Sequence, residues 1–175
     1  MKNSKTVFIT QTALFTALIV VCSWLSIPAT VSFTLQTFAV CFVSAMGGFK
    51  SGTLSVLTYI LLGIVGVPVF SNFKGGVSAI AGPTGGYIVG FIFTAIIVGL
   101  VADKFGKKFL VSVLSMTLGV AVCYAFGTAW FYILYNNVNA QPMSMGAVLG
   151  VCVVPFIPFD AVKILLAAWL TNVVG

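Results

Sequence analysis

The sequence contains no histidine, no arginine and no glutamate, and its only acidic side chains are Asp103 and Asp160. Acid–base catalysis would therefore fall to those two carboxyls, to lysines or to tyrosines. The four cysteines, Cys22, Cys41, Cys123 and Cys152, stand singly among apolar neighbours. With no Cys-x-x-Cys spacing and no imidazole beside them, they indicate neither a metal centre nor a disulfide framework, and read as small packing residues. Charge of either sign is scarce too: 6% of 175 residues are charged, against about a quarter in a soluble domain.

What is present is apolar. Hydrophobic residues make up 61% of the chain and the mean hydropathy is +1.21. This is the composition of an all-α integral membrane protein in which residues 1–175 form a single transmembrane domain. The basic start followed by an apolar run resembles a secretory signal superficially. It has no convincing small-residue cleavage site and more membrane-length segments follow, so it reads as a retained first helix. Candidate spans are 8–27, 31–46, 53–67, 86–102, 109–135 and one or more segments within 145–174. That makes about six transmembrane helices at some 20 residues per crossing.

The connections "PAT", "GGFKSG", "PVFSNFKGGVSAIAGPTG", "DKFGKK" and "NNVNAQPMS" are rich in helix-breaking residues. A cytoplasmic N-terminus puts Lys2, Lys5, Lys50, Lys104, Lys107 and Lys108 inside and leaves Lys74 outside. The positive-inside rule thus predicts an N-in, C-in topology in the cell membrane. The net charge of +6 is explained by that placement, without nucleic acid as a partner. In the last region, Pro155 and Pro158 predict a short segment followed by a final span starting near Pro158. Asp160 then falls in its first turn and Lys163 one turn deeper.

Several motifs have plain readings. Asp103 in "ADKFGKK" reads as a turn and capping residue among solvated lysines. "GGFKSG" lacks the spacing of a phosphate-binding loop, and nothing else in the chain supplies an ATP site of that kind. "GPTGGY" is either a helix start capped by Thr84, with glycines that allow close packing, or a backbone lining for a ligand. Phe33, Phe38, Phe70, Phe73, Tyr87, Trp130, Tyr132 and Tyr135 gather at expected outer helix ends, mostly as an interfacial belt. Some of them, with Gln36, Asn72 and Lys163, have the composition of a small-molecule pocket. Ala13 and Ala17 form a small-xxx-small step that lets another helix approach.

Asp160 and Lys163 are the exception to plain readings. An ionisable group at membrane depth costs about 2.5–3.5 kcal/mol on insertion scales, so such groups face a cavity or one another. At i, i+3 the two either neutralise each other structurally or present a carboxylate and an ammonium to a ligand. A single carboxylate makes a thin proton relay.

"FTLQTFAV", "LLGIVGVPVF", "GPTGGYIVGF" and "VPFIPFDAVK", in this order and covering nearly the whole chain, resemble the BioY family, the biotin-binding S components of energy-coupling factor (ECF) transporters. The resemblance implies an S-component fold of six helices that captures extracellular biotin, with no enzymatic activity and no cofactor of its own. Its implied partners are a transmembrane coupling subunit, which meets Ala13 and Ala17, and two ATPase subunits. The family's D-x-x-K carries over to Asp160 and Lys163, and its glycine-rich loop to Gly82, Pro83, Thr84, Gly85, Gly86 and Tyr87. Where the family often has glycine before the aspartate, this chain has Phe159.

The implied chemistry pairs the ureido N–H groups with Asp160 and the Asn72 oxygen, and the valerate carboxylate with Lys163, unless Lys163 only holds Asp160 in place. The loop over 68–82 is expected to roof the site and to move when ligand enters. An S component for a different small vitamin, a small membrane enzyme and a non-catalytic assembly protein are the competing readings.

Overall fold

The computed structural model describes residues 4–27, 33–138 and 142–175, and among these the chain is almost wholly helical. Its helices are α1 (Ser4–Trp24), α2 (Gln36–Val65), α3 (Val77–Ala81), α4 (Gly85–Phe105), α5 (Phe109–Val138), α6 (Met145–Cys152) and α7 (Ile157–Val174). Five of them, α1, α2, α4, α5 and α7, are long and apolar enough to cross a membrane. Lys2, the "PAT" connection and positions 139–141 lie outside the described residues.

The thirty residues of α2 do not form one rod. At Gly48 the backbone takes φ 65°, ψ −169°, a left-handed conformation open to glycine and costly for any residue with a Cβ. The chain folds back there. Gly52 packs against the Ser44 backbone, and the Gln36 side-chain amide donates to the Tyr59 hydroxyl at 2.7 Å. Both pairings are centred on position 48, so the two arms run antiparallel, and five long helices supply six helical rods.

The break is clasped from the α4–α5 turn. The Phe49 N–H, first of the second arm, donates to Asp103 Oδ2 at 2.9 Å, and Lys107 Nζ donates to the Met46 carbonyl, near the end of the first arm, at 3.2 Å. A carboxylate on a helix N-terminus and an ammonium on a C-terminus both match the helix dipole. Asp103 is thus a cap, but for a helix some fifty residues before it in sequence rather than for its own.

α1 runs parallel to the second arm of α2, joined by Thr12 Oγ1 to Ser51 Oγ at 3.3 Å and by Thr16 Oγ1 donating to the Ser55 carbonyl at 3.2 Å. α1 ends at Trp24, not near position 27, because Ser26–Ile27 leaves the helix to pair antiparallel with Phe33–Thr34. The α4–α5 pair is closed by small residues: a Cβ at Gly86 or Gly127 would strike Trp130 and Tyr87 respectively. α7 packs antiparallel to α5, from Asp160 beside Tyr124 to Asn172, whose Oδ1 accepts the Phe109 N–H at 3.2 Å.

One end of the bundle therefore carries Lys5, Lys50, Lys104, Lys107 and Lys108, and the opposite end carries Lys74 and the long connection. That connection is not structureless: it holds a 3₁₀ turn (Ser71–Phe73), α3 and a bridge between Phe70 and Lys74.

Candidate functional site

Under the long connection lies a partly open cavity of about 70 Å³, tighter than the roughly 300–1,000 Å³ of an occupied small-molecule site. Gln36 and Thr37 come from the start of α2, Phe70 and Ser71 from the connection, Thr84, Tyr87 and Phe91 from α4, Cys123 and Tyr124 from α5, and Cys152, Phe156 and Asp160 from the α6–α7 region. The contributors from α2, α4 and α7 sit towards the helix ends away from the lysine cluster, and Cys123 and Tyr124 at the middle of α5.

Among the described residues Asp160 is the one charged residue on this wall, and it is 4% exposed. Pro158 occupies the first turn of α7, where its missing N–H costs nothing. The carboxylate that follows meets the positive end of the helix dipole. Its two oxygens have separate partners. Lys163 Nζ donates to Oδ1 at 2.8 Å from the same helix, and the Tyr124 hydroxyl donates to Oδ2 from α5. The carboxylate is fixed in direction while its remaining lone pairs stay available to a donor in the cavity.

The apolar surfaces are aromatic and interlocked. Phe33 stacks on Phe156 at 4.2 Å between centroids and meets Phe159 edge-on at 5.4 Å. Phe70 stands edge-on to Tyr59 at 5.4 Å, with its ring tip against Gly63, where a Cβ would collide with it. Tyr87, 8% exposed, places its hydroxyl 3.3 Å from Thr128 Oγ1. Phe33, Phe38, Phe70, Tyr87, Tyr132 and Tyr135, expected mostly in an interfacial belt, instead belong to the core or pack against it. Phe70 and Tyr87 line the cavity, and the other four pack against the core around it.

Of the residues singled out in the sequence for a pocket, Gln36, Phe70, Thr84, Tyr87 and Asp160 come together on this wall. Lys163 stands behind Asp160 and faces a separate groove with Phe33, Leu35 and Phe159. Asn72 rides on the connection, where its Oδ1 accepts the Ser26 hydroxyl at 3.3 Å. Gly85 and Gly86 pack backbone against backbone and against Trp130 rather than lining the cavity. Thr84 occupies the N-cap position of α4 without a side-chain capping bond, so the cap expected of it does not form: its side chain turns to the cavity, and its carbonyl accepts the Tyr87 and Ile88 N–H groups at 3.1 and 3.2 Å as the first bonds of the helix.

Tyr124, Phe91, Phe156 and Ser71 were not singled out by the sequence. Tyr124 carried a usable signal, a phenol in the apolar run "GVAVCYAFG" whose hydroxyl needs a buried partner.

Ala13 and Ala17 lie elsewhere. Both are exposed, on an apolar groove between α1 and the second arm of α2 that also takes in Thr12, Val21, Trp24 and Leu62.

Comparison with known proteins places these features in context. The model of the BioY family matches residues 1–174. The chain is 43% identical over 159 residues to "Biotin transporter BioY" of Thermotoga maritima, covering 90% of this chain and 89% of that protein. It is 30% identical over 176 residues to "Biotin transporter BioY" of Rhodobacter capsulatus, covering 95% and 92%. A crystal structure of the S-component for biotin from an ECF-type ABC transporter superposes with a TM-score of 0.88 at 26% identity, covering 99% of this chain and 93% of that one.

Proposed function

The chain belongs to the BioY family, and from that membership we propose that it is the membrane subunit that captures biotin for an ECF-type transporter. The observation that carries the reading is the buried Asp160 carboxylate, aimed by Tyr124 and Lys163, on the wall of an aromatic-lined cavity beneath the long connection. Biotin brings a compact apolar bicycle, two ureido N–H donors and a carboxylate tail. Once the connection carrying Phe70 and Ser71 lifts to enlarge the cavity, the bicycle lies between Tyr87, Phe91 and Phe156, and a ureido N–H donates to Asp160.

Lys163 acts here as the organiser of Asp160, a role supported by its 2.8 Å ion pair and its absence from the cavity wall. Gln36 and Thr84 supply further polar contacts, and Asn72 joins them when the connection closes over ligand. Gly85 and Gly86 serve by letting α4 approach its neighbours so that Thr84 and Tyr87 reach the cavity.

The lysine-rich end faces the cytoplasm with both termini, so the cavity opens outward. The exposed Ala13 and Ala17 on the α1 groove receive a helix of the transmembrane coupling subunit, since small side chains allow two backbones to approach. ATP is hydrolysed by the two ATPase subunits of that module, outside this chain.

The test is calorimetric titration of biotin into the detergent-purified protein after ligand-free preparation. Wild type binds; Asp160→Asn weakens binding on the order of tenfold to a hundredfold, the worth of one hydrogen bond to a charged group. A folded wild-type protein that takes up no biotin overturns the reading, and binding of a different vitamin in its place would support the sibling S-component alternative.

A further inference from the structure

The connection over the cavity is held in its later part by α2 and α5, where the Gly76 N–H donates to the Gly63 carbonyl at 2.7 Å and Trp130 Nε1 to the Gly82 carbonyl at 3.1 Å, and over 68–73 by side chains from the end of α1 and the Ser26–Ile27 strand that follows it. The Ser23 hydroxyl donates to the Val69 carbonyl, Trp24 Nε1 donates to the Pro68 carbonyl at 2.8 Å, and the Ser26 hydroxyl donates to Asn72 Oδ1 at 3.3 Å. The Trp24 ring also stacks on Phe73 at 5.2 Å. The segment so held is strained: Asn72 and Phe73 both sit at positive φ, 58° and 55°, which a bulky side chain adopts only when its surroundings enforce it. It is also the segment that puts Phe70 and Ser71 into the cavity.

Trp24 has a second position. Ala13, Ala17, Val21 and Trp24 follow one another at helical spacing, and all four line the groove between α1 and the second arm of α2. The indole therefore forms the outer end of that groove with its ring while holding the connection with its N–H and its stacking face.

We propose that Trp24 is the latch of the cavity: it ties the connection down through Pro68 and Phe73, and a helix seated in the α1 groove meets it and loosens that tie. This rests on the biotin-binding reading above and adds to it a residue that sets how long ligand stays. Linkage requires the effect to be reciprocal, so that whatever displaces the indole weakens ligand and bound ligand weakens the occupant of the groove.

The experiment measures biotin dissociation by dilution into unlabelled biotin, on the full chain in nanodiscs, with and without the coupling module of the same transporter. Trp24→Phe, which keeps a ring but loses the N–H, raises the dissociation rate on the order of fivefold, the worth of one neutral hydrogen bond. Trp24→Ala raises it further, while Trp169→Phe on the exposed face of α7 leaves it unchanged. Adding the module speeds dissociation from wild type and adds little to Trp24→Phe.

Unchanged dissociation in both Trp24 variants, with wild type still binding biotin, overturns the latch and leaves the biotin reading standing. Equal acceleration by the module in wild type and Trp24→Phe overturns the link to the groove. If only thermal stability falls while dissociation holds, Trp24 is a packing residue and the latch is again overturned.

Discussion

At the scale of single residues, the Asp160 carboxylate is the point on which most depends. Its burial is tolerated because Lys163 and Tyr124 each satisfy one oxygen, and removing one partner of a buried pair leaves a charge uncompensated, at about 3–5 kcal/mol. Lys163→Ala is therefore expected to lower the melting temperature in detergent well below that of Asp160→Asn combined with Lys163→Met, in which no charge remains. The double variant regains stability without regaining biotin affinity. Were both to recover together, the pair would serve structure alone. Tyr124→Phe separates the roles further: the fold persists, and affinity falls because the carboxylate is free to turn towards Lys163.

Among the elements, the hairpin of α2 is the most particular. Its two arms meet at a left-handed glycine with an aspartate Oδ1 lying where a Cβ would go. Gly48→Ala is thus opposed both by φ and by Asp103, and should unfold at markedly lower temperature than wild type, with Gly146→Ala, which has open space around it, as the neutral comparison. Asp103→Ala removes one cap and is expected to cost about 1 kcal/mol, read from the same melting curves.

The sequence marked "GGFKSG" as a break because glycine and serine cluster there, and it marked the start of α7 because proline can only begin a helix. Both signals are local, carried by the residues of the break and of the helix start themselves. The cap that Asp103 gives to Phe49 and the contact of Tyr124 with Asp160 join residues far apart in sequence, and no periodicity within either segment encodes them. For the same reason a first span over 8–27 overruns the end of α1: Leu25 to Ile27 are apolar enough to prolong a helix, and the strand partner at Phe33–Thr34 takes Ser26–Ile27 out of it.

For the whole molecule, the distribution of lysines separates a basic end from the end that holds the cavity. With Cys22, Cys41, Cys123 and Cys152 all buried, an engineered surface thiol has little background to compete with. In intact cells Lys74→Cys should react with a membrane-impermeant maleimide, and Lys104→Cys should react only after the membrane is opened. The reverse pattern would invert the proposed orientation and place the cavity on the cytoplasmic side.

The two side-chain carboxylates, one in the cavity wall and one clasping the α2 hairpin at the opposite end, also leave the molecule almost silent in a useful spectral window. Replacing Asp103 by asparagine would make Asp160 the sole side-chain contributor to the carboxylate stretching bands in the infrared. With the carboxylate of biotin moved to other frequencies by isotope labelling, ligand arrival at that one group could then be followed by difference spectroscopy without a probe being attached to the protein.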